Sequence, residues 1–432
     1  MTPFRIGCGA GFQGDRIEPA ADLANRGELD VLVFECLAER TIALAQQARM
    51  KDPEAGYDPL LERRLRATLP GCARHGTKII TNMGAANPWA GAAKARAILA
   101  ELGLSLKVAV VTGDDVSGSI ADYSLDETGE TAQALGPRLV SANAYIGVSG
   151  IVEALAQGAD IVICGRVSDP ALFLAPLVHH FGWALDDYEK LGRGTLIGHL
   201  LECSAQITGG YFADPGVKDV PNLAHIGFPL AEVTADGNAI ITKLDDTGGM
   251  VTPATCTEQL LYEIHDPARY IQPDVVADFS GVTFTPVGPD RVAIGGATGH
   301  PPTGKLKVSV AYRDGWQGEG QISYAGVNAR QRAELARSIL EQRLTDPKIE
   351  DCLGQLKGSD DDMRLRYAAR CADAATAQMI GEEVEGLYLC GPAAGGGVTK
   401  SVREIVAIAS TLIPSDSVLV SAEILGETHE AA

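Results

Sequence analysis

The chain has no long apolar run, no uninterrupted basic stretch and no paired cysteines. Each absence removes a class of function. No apolar segment reaches the roughly 18 residues that a membrane-spanning helix needs. The beginning, MTPFRIGCGAG, shows neither the basic nor the apolar segment of a secretory leader. Lys and Arg number 36 against 56 Asp and Glu, a formal net charge of −20. The two short basic clusters, at Lys400–Arg403 and Arg330–Arg337, are broken by apolar or acidic residues. A surface that acidic repels nucleic acid and anionic lipid, so neither is expected as a partner. The nine Cys are scattered without a CxxC pair, which argues against a disulfide framework and a structural zinc site. Cys8, Cys164 and Cys390 sit in apolar runs, where Cys behaves as a small hydrophobe. The expectation is a reduced, cytoplasmic protein. Aromatics are also sparse, at 5%, and no internal repeat or low-complexity tract is present.

What is present is a chain of 432 residues, 46% of them hydrophobic and 49 of them Gly, enough for two or three domains. Short Val- and Ile-rich runs recur at Phe4–Cys8, Val31–Phe34, Lys78–Thr81, Lys107–Val111, Leu139–Ala142 and Asp160–Cys164. Helical patterns separate them at Ala20–Arg26, Thr41–Arg49, Leu60–Leu69, Ala90–Leu102 and Gly150–Gln157. Continuous apolar strands alternating with helices predict an α/β fold, a parallel sheet with flanking helices. It is either doubly wound and Rossmann-like or TIM-barrel-like, and both place ligands at the C-terminal strand ends. From Gly209 the pattern changes to alternating strands followed by a helix at Arg330–Leu344, an α+β domain. Leu387–Cys390 reads as one more buried strand, followed by a Gly-rich turn and a helix over Ser401–Leu412. The predicted domains are therefore 1–208, 209–356 and 357–432, with the last packing on the first, and Glu427–Ala432 is a polar tail.

The candidate chemistry lies at the strand ends. Gly9, Gly11 and Gly14 form a GxGxxG turn between a strand and a helix, with Arg16 just beyond. Glu35 ends the next strand, about twenty positions after Gly14, where a dinucleotide site carries its ribose-binding acid. Asp15, Arg16 and Pro19 lengthen the turn, so the same glycines serve equally well for another small anion. Asn82, Asn143, Arg166 and Asp169 follow other strands. Any one of them could simply cap a helix, but together they suggest a binding site. His199, Glu202, Cys203 and Gln206 share a face if the segment is one helix, and a His four residues before a Cys can lower the thiol's pKa. Gly395, Gly396, Gly397 and Lys400 lie in a second Gly-rich turn that departs from the Walker pattern yet could cradle an anion.

Several segments in order resemble one family: GCGAGFQGDR, DVLVFECLAERT, YDPLLERRLRATLP, ITNMGAANP, GADIVICGRVSDPALFLAP, GHLLECSAQITGGYFAD and LCGPAAGGG. The chain is similar to the acyclic terpene utilisation (AtuA) family across nearly its whole length. The resemblance implies catabolism of branched or unsaturated acids beside acyl-CoA carboxylases, dehydrogenases and enoyl-CoA hydratases. It also implies a separate small companion protein of about one hundred residues, since some relatives carry or adjoin such a domain.

The reading that joins residues and resemblance is a lyase or hydratase/dehydratase acting on a small carboxylate or its CoA thioester, CoA entering as part of the substrate. Arg166 is expected to bind a carboxylate, and Glu35 and Asp169 to act as acid and base. His199 and Cys203 are expected to handle a second proton, or Cys203 to act as nucleophile. The glycines, Arg16, Asn82, Asn143 and Lys400 are expected to line the substrate site. An NAD-dependent oxidoreductase using Gly9–Gly14 and Glu35 is the alternative, and a non-catalytic large subunit a third reading. A homo-oligomer is expected from the Gly-rich apolar helices.

Overall fold

Strands of four to seven largely apolar residues have both faces to bury, and they form the centre of the main sheet. A computed structural model describes residues 2–426, and the polar tail expected at Glu427–Ala432 lies outside the described residues. The chain divides into two units. The first holds the residues up to Ala134, Val140–Val310 and those from Ala409 on; the second holds Leu135–Leu139 and Ala311–Ile408.

In the first unit, β1 (Phe4–Ala10), β2 (Val31–Phe34), β3 (Lys78–Thr81), β4 (Val108–Thr112) and β6 (Ile161–Cys164) pair in parallel in the order β1-β2-β3-β6-β4. The expected sixth strand, β5 (Leu139–Ala144), is not among them. It pairs with β14 (Lys305–Ala325), with the Tyr145 N–H donating to the Lys307 carbonyl. Its sequence explains the difference: Ser141 and Asn143 alternate with Val140, Ala142 and Ala144, so one of its faces is polar.

Helices α1 (Glu18–Arg26), α2 (Glu39–Lys51), α3 (Leu61–His75), α4 (Pro88–Leu102), α5 (Ser149–Ala156), α6 (Ala171–Phe181) and α7 (Tyr188–Glu202) fill the connections. Leu32, Phe34, Ile79, Val110 and Ile163 pack with Leu23, Leu65, Leu69, Ala95 and Ile98 of α1, α3 and α4. The intervening strand residues face the other way. There a Cβ on Gly150 of α5 would come within 2.6 Å of the Val111 side chain. Period-2 alternation thus puts helices on both faces of the sheet.

The sheet then grows at its edges by antiparallel pairing. Beside β1 come β7 (Pro229–Val233), β8 (Ala239–Lys243), β12 (Arg291–Gly295) and β11 (Thr283–Gly288); beside β4 comes β18 (Ser421–Ile424). The sheet has ten strands and two ends, so the barrel alternative does not hold. After α8 (Pro253–Leu261), a small sheet of β9 (Tyr270–Ile271), β10 (Val276–Asp278) and β13 (Thr298–His300) packs on α7. Residues 209–310 therefore extend the first unit instead of opening a second one at 209, because their strands complete its hydrogen-bond ladders.

The second unit continues β14 through α9 (Ala329–Arg343), β15 (Ile349–Gly358), β16 (Asp362–Cys371), α10 (Ala374–Cys390) and β17 (Gly395–Pro414). The strands lie in the order β15-β16-β14-β17, a split β-α-β-β-α-β unit. Ala333, Ala336 and Leu340 of α9 and Ile380, Val384 and Leu387 of α10 cover one face, against Ile322, Tyr324, Leu365 and Tyr367.

Two sequence expectations fail here. Leu387–Cys390 is the last turn of α10, not a strand; Ile380, Val384 and Leu387 recur at helical spacing, and the short apolar run hid that period. Ser401–Leu412 is not a helix but lies in β17, where Ala409, Thr411 and Ile413 alternate inward. Its density of Val, Ile and Thr suits a strand. Among the described residues, no helix is long and apolar enough to cross a membrane.

Candidate functional site

The first unit contains a cavity of about 1240 Å³, lined by residues that follow β1, β2 and β6, by the end of α7, and by the segment 262–273. Parallel strands deliver their C-terminal ends side by side, which is why residues distant in sequence meet there.

Glu35 follows β2 and is buried. Its Oε1 accepts the Leu37 N–H at 3.0 Å and the Asn82 side-chain amide at 2.9 Å. The Asn82 Oδ1 in turn accepts the Cys36 N–H at 2.8 Å, so Asn82 clamps the end of β2 from the end of β3. Burial raises the Glu35 pKa to about 7, against the pull of Arg166 and these hydrogen bonds, and the nearby Glu202 charge adds to the rise.

Glu202 is the last residue of α7 and also lines the cavity. Burial raises its pKa as well, opposed by His199. The His199 Nδ1 lies 3.0 Å from the Glu202 Oε1, and its Nε2 lies 3.1 Å from the Leu260 carbonyl. A carbonyl only accepts, so Nε2 carries a hydrogen and one further proton is shared between Nδ1 and Glu202. The Tyr270 and Phe279 rings pack on the imidazole. The Glu202 Oε2 is buried without a hydrogen-bond partner.

Arg166 follows β6 and is 1% exposed. Its Nε and Nη2 donate to the Val167 carbonyl at 3.0 and 2.7 Å, Nη1 donates to the Leu37 carbonyl, and Nη2 also pairs with Asp169. Its backbone N–H donates to Asp114, whose carboxyl burial pushes up to about 6. The guanidinium lies 4.3 Å from the centre of the Tyr145 ring. The Tyr145 hydroxyl donates to Glu39 at 2.5 Å, and the Lys307 Nζ reaches the same carboxylate at 3.0 Å. Burial alone would raise the Glu39 pKa, but these donors outweigh it and bring it to about 2, so Glu39 is an anion.

A profile of the acyclic terpene utilisation family protein AtuA matches residues 4–424, nearly the whole chain. The chain belongs to the AtuA family. Membership implies a role in acyclic terpene utilisation. No curated protein matches the sequence.

In this AtuA-family protein the residues singled out from sequence separate into four sets. Gly11, Gly14, Glu35, Arg166, Asp169 and Cys203 line the cavity. Gly9, Asn82, Asn143 and His199 stand behind it: Gly9 abuts the Phe34 ring, Asn143 binds Asp114, and His199 acts through Glu202. Arg16 is outside it, donating to the Ala224 carbonyl. Gly395, Gly396, Gly397 and Lys400 belong to the second unit, where they begin β17 and Lys400 pairs with Glu385. They are not in a strand-to-helix turn, so that anion cradle does not form.

Two expected roles also change. The predicted His199–Cys203 pair is absent because α7 ends at Glu202, so Cys203 leaves the helical face and His199 meets Glu202 instead. Burial and the Glu202 charge push the Cys203 thiol up, the wrong direction for a nucleophile. Arg166 has little left for a bidentate grip on substrate, since most of its N–H groups are taken by the protein.

The GxGxxG turn is likewise filled from within. Arg64 of α3, fully buried, donates from Nη2 to the Phe12, Gln13 and Asp15 carbonyls at 3.3, 2.8 and 3.3 Å. Asp15 takes the Gly11 N–H at 2.9 Å, and Glu18 occupies the first turn of α1. A turn that directs carbonyls to an internal cation and its N–H to an internal carboxylate has little to offer a diphosphate.

Sequence reasoning missed Arg64, the Glu39–Tyr145–Lys307 group and the role of Glu202. Among the described residues, no group of three or more His, Cys, Asp or Glu could hold a metal ion.

Proposed function

We propose that the cavity is the active site of a lyase or hydratase/dehydratase acting on a carboxylic acid or its thioester, with Glu35 and Glu202 as its acid/base pair. The observation that carries this reading is that two buried carboxyl groups, both with raised pKa, border one cavity, the charge of Glu202 adding to the rise at Glu35. Pairs of titratable groups tuned in this way are the usual equipment for moving protons at neutral pH.

In the dehydrating direction, Glu202 takes the proton from the carbon beside the substrate carbonyl. Its partner His199 keeps the shared proton on Nδ1 and stabilises the carboxylate before the step, while the substrate proton goes to the Oε2 that has no hydrogen-bond partner in the protein. The electron pair left on carbon forms the C=C bond as the C–O bond at the neighbouring carbon breaks. Glu35, protonated below about pH 7, gives its proton to the departing hydroxyl, which leaves as water. Hydration is the reverse. Arg166 lies near enough to Glu35 to oppose the rise of its pKa, and the Tyr145 ring packed on the guanidinium keeps it in place. Asp169 neutralises Arg166 and serves as a positioning residue.

The test is hydrogen–deuterium exchange at the carbon beside the carbonyl, followed by NMR over a panel of hydroxy and unsaturated acids and their thioesters. Wild type is expected to exchange at least one of them, and E202Q to lose exchange by about 100-fold or more. E35Q is expected to keep exchange while losing net dehydration. Exchange that survives in E202Q refutes the assignment.

A further inference from the structure

The first unit holds a second cavity, of about 140 Å³, where the chain leaves β3 and β4, and it shares no lining residue with the larger one. Part of its lining is rich in oxygen: Asp114 and Asp115 after β4, and Ser141 and Asn143 of β5. The Asp114 Oδ2 accepts the Arg166 backbone N–H and faces the Asn143 amide, each at 2.9 Å. An oxygen already accepting one N–H turns the donating nitrogen of that amide toward itself, which leaves the Asn143 Oδ1 at the other end. That Oδ1 has no hydrogen-bond partner, and neither has the Ser141 Oγ, although both residues are only 4% exposed. Asp115 stands opposite Asn143 across an antiparallel bridge, between the bonds from the Val116 N–H to the Ala142 carbonyl and from the Ala144 N–H to the Asp114 carbonyl. Pairs placed between such bonds bring their side chains close together. Asp115 is exposed, its Oδ1 accepts the Ser117 N–H, and among the described residues no cation pairs with it. Two buried oxygens without a donor, next to an unpaired carboxylate, call for a donor with positive charge.

The rest of the lining has the opposite character. Arg49 of α2 donates from Nη1 to the Ala86 carbonyl at 2.7 Å, which anchors it beside the start of α4, and among the described residues no carboxylate neutralises it. Its Nε and Nη2 remain as a two-pronged donor. Pro88 and Trp89, the first residues of α4, also line the cavity, and the N-terminal end of a helix carries partial positive charge. At roughly 30 Å³ for each water-sized group, the space suits a molecule of about five such groups.

We propose that this cavity binds a small zwitterionic amino acid, its ammonium group held by the Asn143 Oδ1, the Ser141 Oγ and Asp115, and its carboxylate by Arg49 beside the start of α4. An ammonium group has three donors, one for each of these three acceptors. Glycine, alanine and serine are of the right size. The site does not depend on the lyase reading of the larger cavity.

Calorimetric titration of the wild-type protein with glycine, L-alanine and L-serine, and with methylamine, acetate and magnesium chloride as probes of a single charge, tests the proposal. At least one amino acid is expected to bind roughly tenfold more tightly than each of the three probes. D115N and R49Q should each weaken that amino acid about tenfold or more. S141A should weaken it as well, while its melting temperature without ligand is no lower than that of wild type, because the hydroxyl removed has no partner to lose. Methylamine or magnesium binding as tightly as the amino acids overturns the proposal in favour of a plain cation site, and acetate doing so in favour of an anion site. No binding of any amino acid at millimolar concentration, or binding that D115N and R49Q leave unchanged, also overturns it.

Discussion

Replacing Glu35 by Gln should stabilise the protein, and only above a definite pH. Burial moves the Glu35 pKa from 4.5 to about 7, so the folded state prefers the protonated acid. A raised folded pKa contributes stability that is fully present below the unfolded value of about 4.5 and is lost as pH rises through 7. At about 1.4 kcal/mol per pH unit, the carboxylate costs the fold on the order of 3 kcal/mol at pH 8. Gln keeps the shape and stays neutral, and its amide oxygen can still accept the N–H of Leu37 and the amide of Asn82. The stability gap between E35Q and wild type should therefore be flat below about pH 4.5, widen between 4.5 and 7, and level off above. Thermal melts in buffers from pH 4 to 8 read this directly, the expected excess being roughly 5–10 °C at pH 8 for a unit of this size. Parallel melting curves at every pH would refute the claim that Glu35 is held protonated, and with it the role of acid. The same substitution should abolish dehydration, the trade between stability and activity expected of a tuned active-site acid.

Three further outcomes follow from the same geometry. In G11A the new Cβ would lie 2.5 Å from the Cys203 carbonyl carbon, so the variant should lose about 1–3 kcal/mol in urea denaturation and disturb the cavity wall next to Glu202. Asp274 is half-buried, accepts the Val148 N–H at the start of α5, and has its pKa raised to about 6 by loss of solvent, so D274N should stabilise relative to wild type as pH rises from 4 through 6, by about 1–3 kcal/mol at pH 8. A gap that narrows with pH contradicts this. C203S should retain most proton exchange and most turnover, because the thiol is held protonated; trapping of a covalent adduct on Cys203 by mass spectrometry would contradict that.

The parallel half of the first unit was open to reading from sequence because its strands carry their burial in their composition. VLVF and IVIC leave no polar face, so they must be central, and Glu35 and Arg166 then fall at strand ends by counting alone. The edge strands and β17 were harder. Their alternation is imperfect, and whether a run such as REIVAIASTLI is helix or strand depends on partners far away in the chain. The helix containing Arg64 carried a usable signal. Leu61, Leu65, Thr68 and Cys72 form a buried stripe, and Arg64 falls on it while Arg63 and Arg66 do not. A cation on an apolar stripe needs buried acceptors, and the glycine turn supplies them. The role of Glu202 could not be read, because it depends on where α7 stops. One more helical turn would have kept Cys203 beside His199.

The Asn82 clamp has a consequence for turnover. A glutamate on a loop samples many rotamers and loses that freedom whenever substrate arrives. Here one amide, anchored on a neighbouring strand, fixes both the Glu35 carboxylate and the backbone beside it. The ordering is completed when the chain folds and is not repeated in each catalytic cycle. Such a group should show the same orientation and slow amide exchange with the cavity empty or filled, and whatever adjusts to substrate must lie elsewhere on the cavity wall.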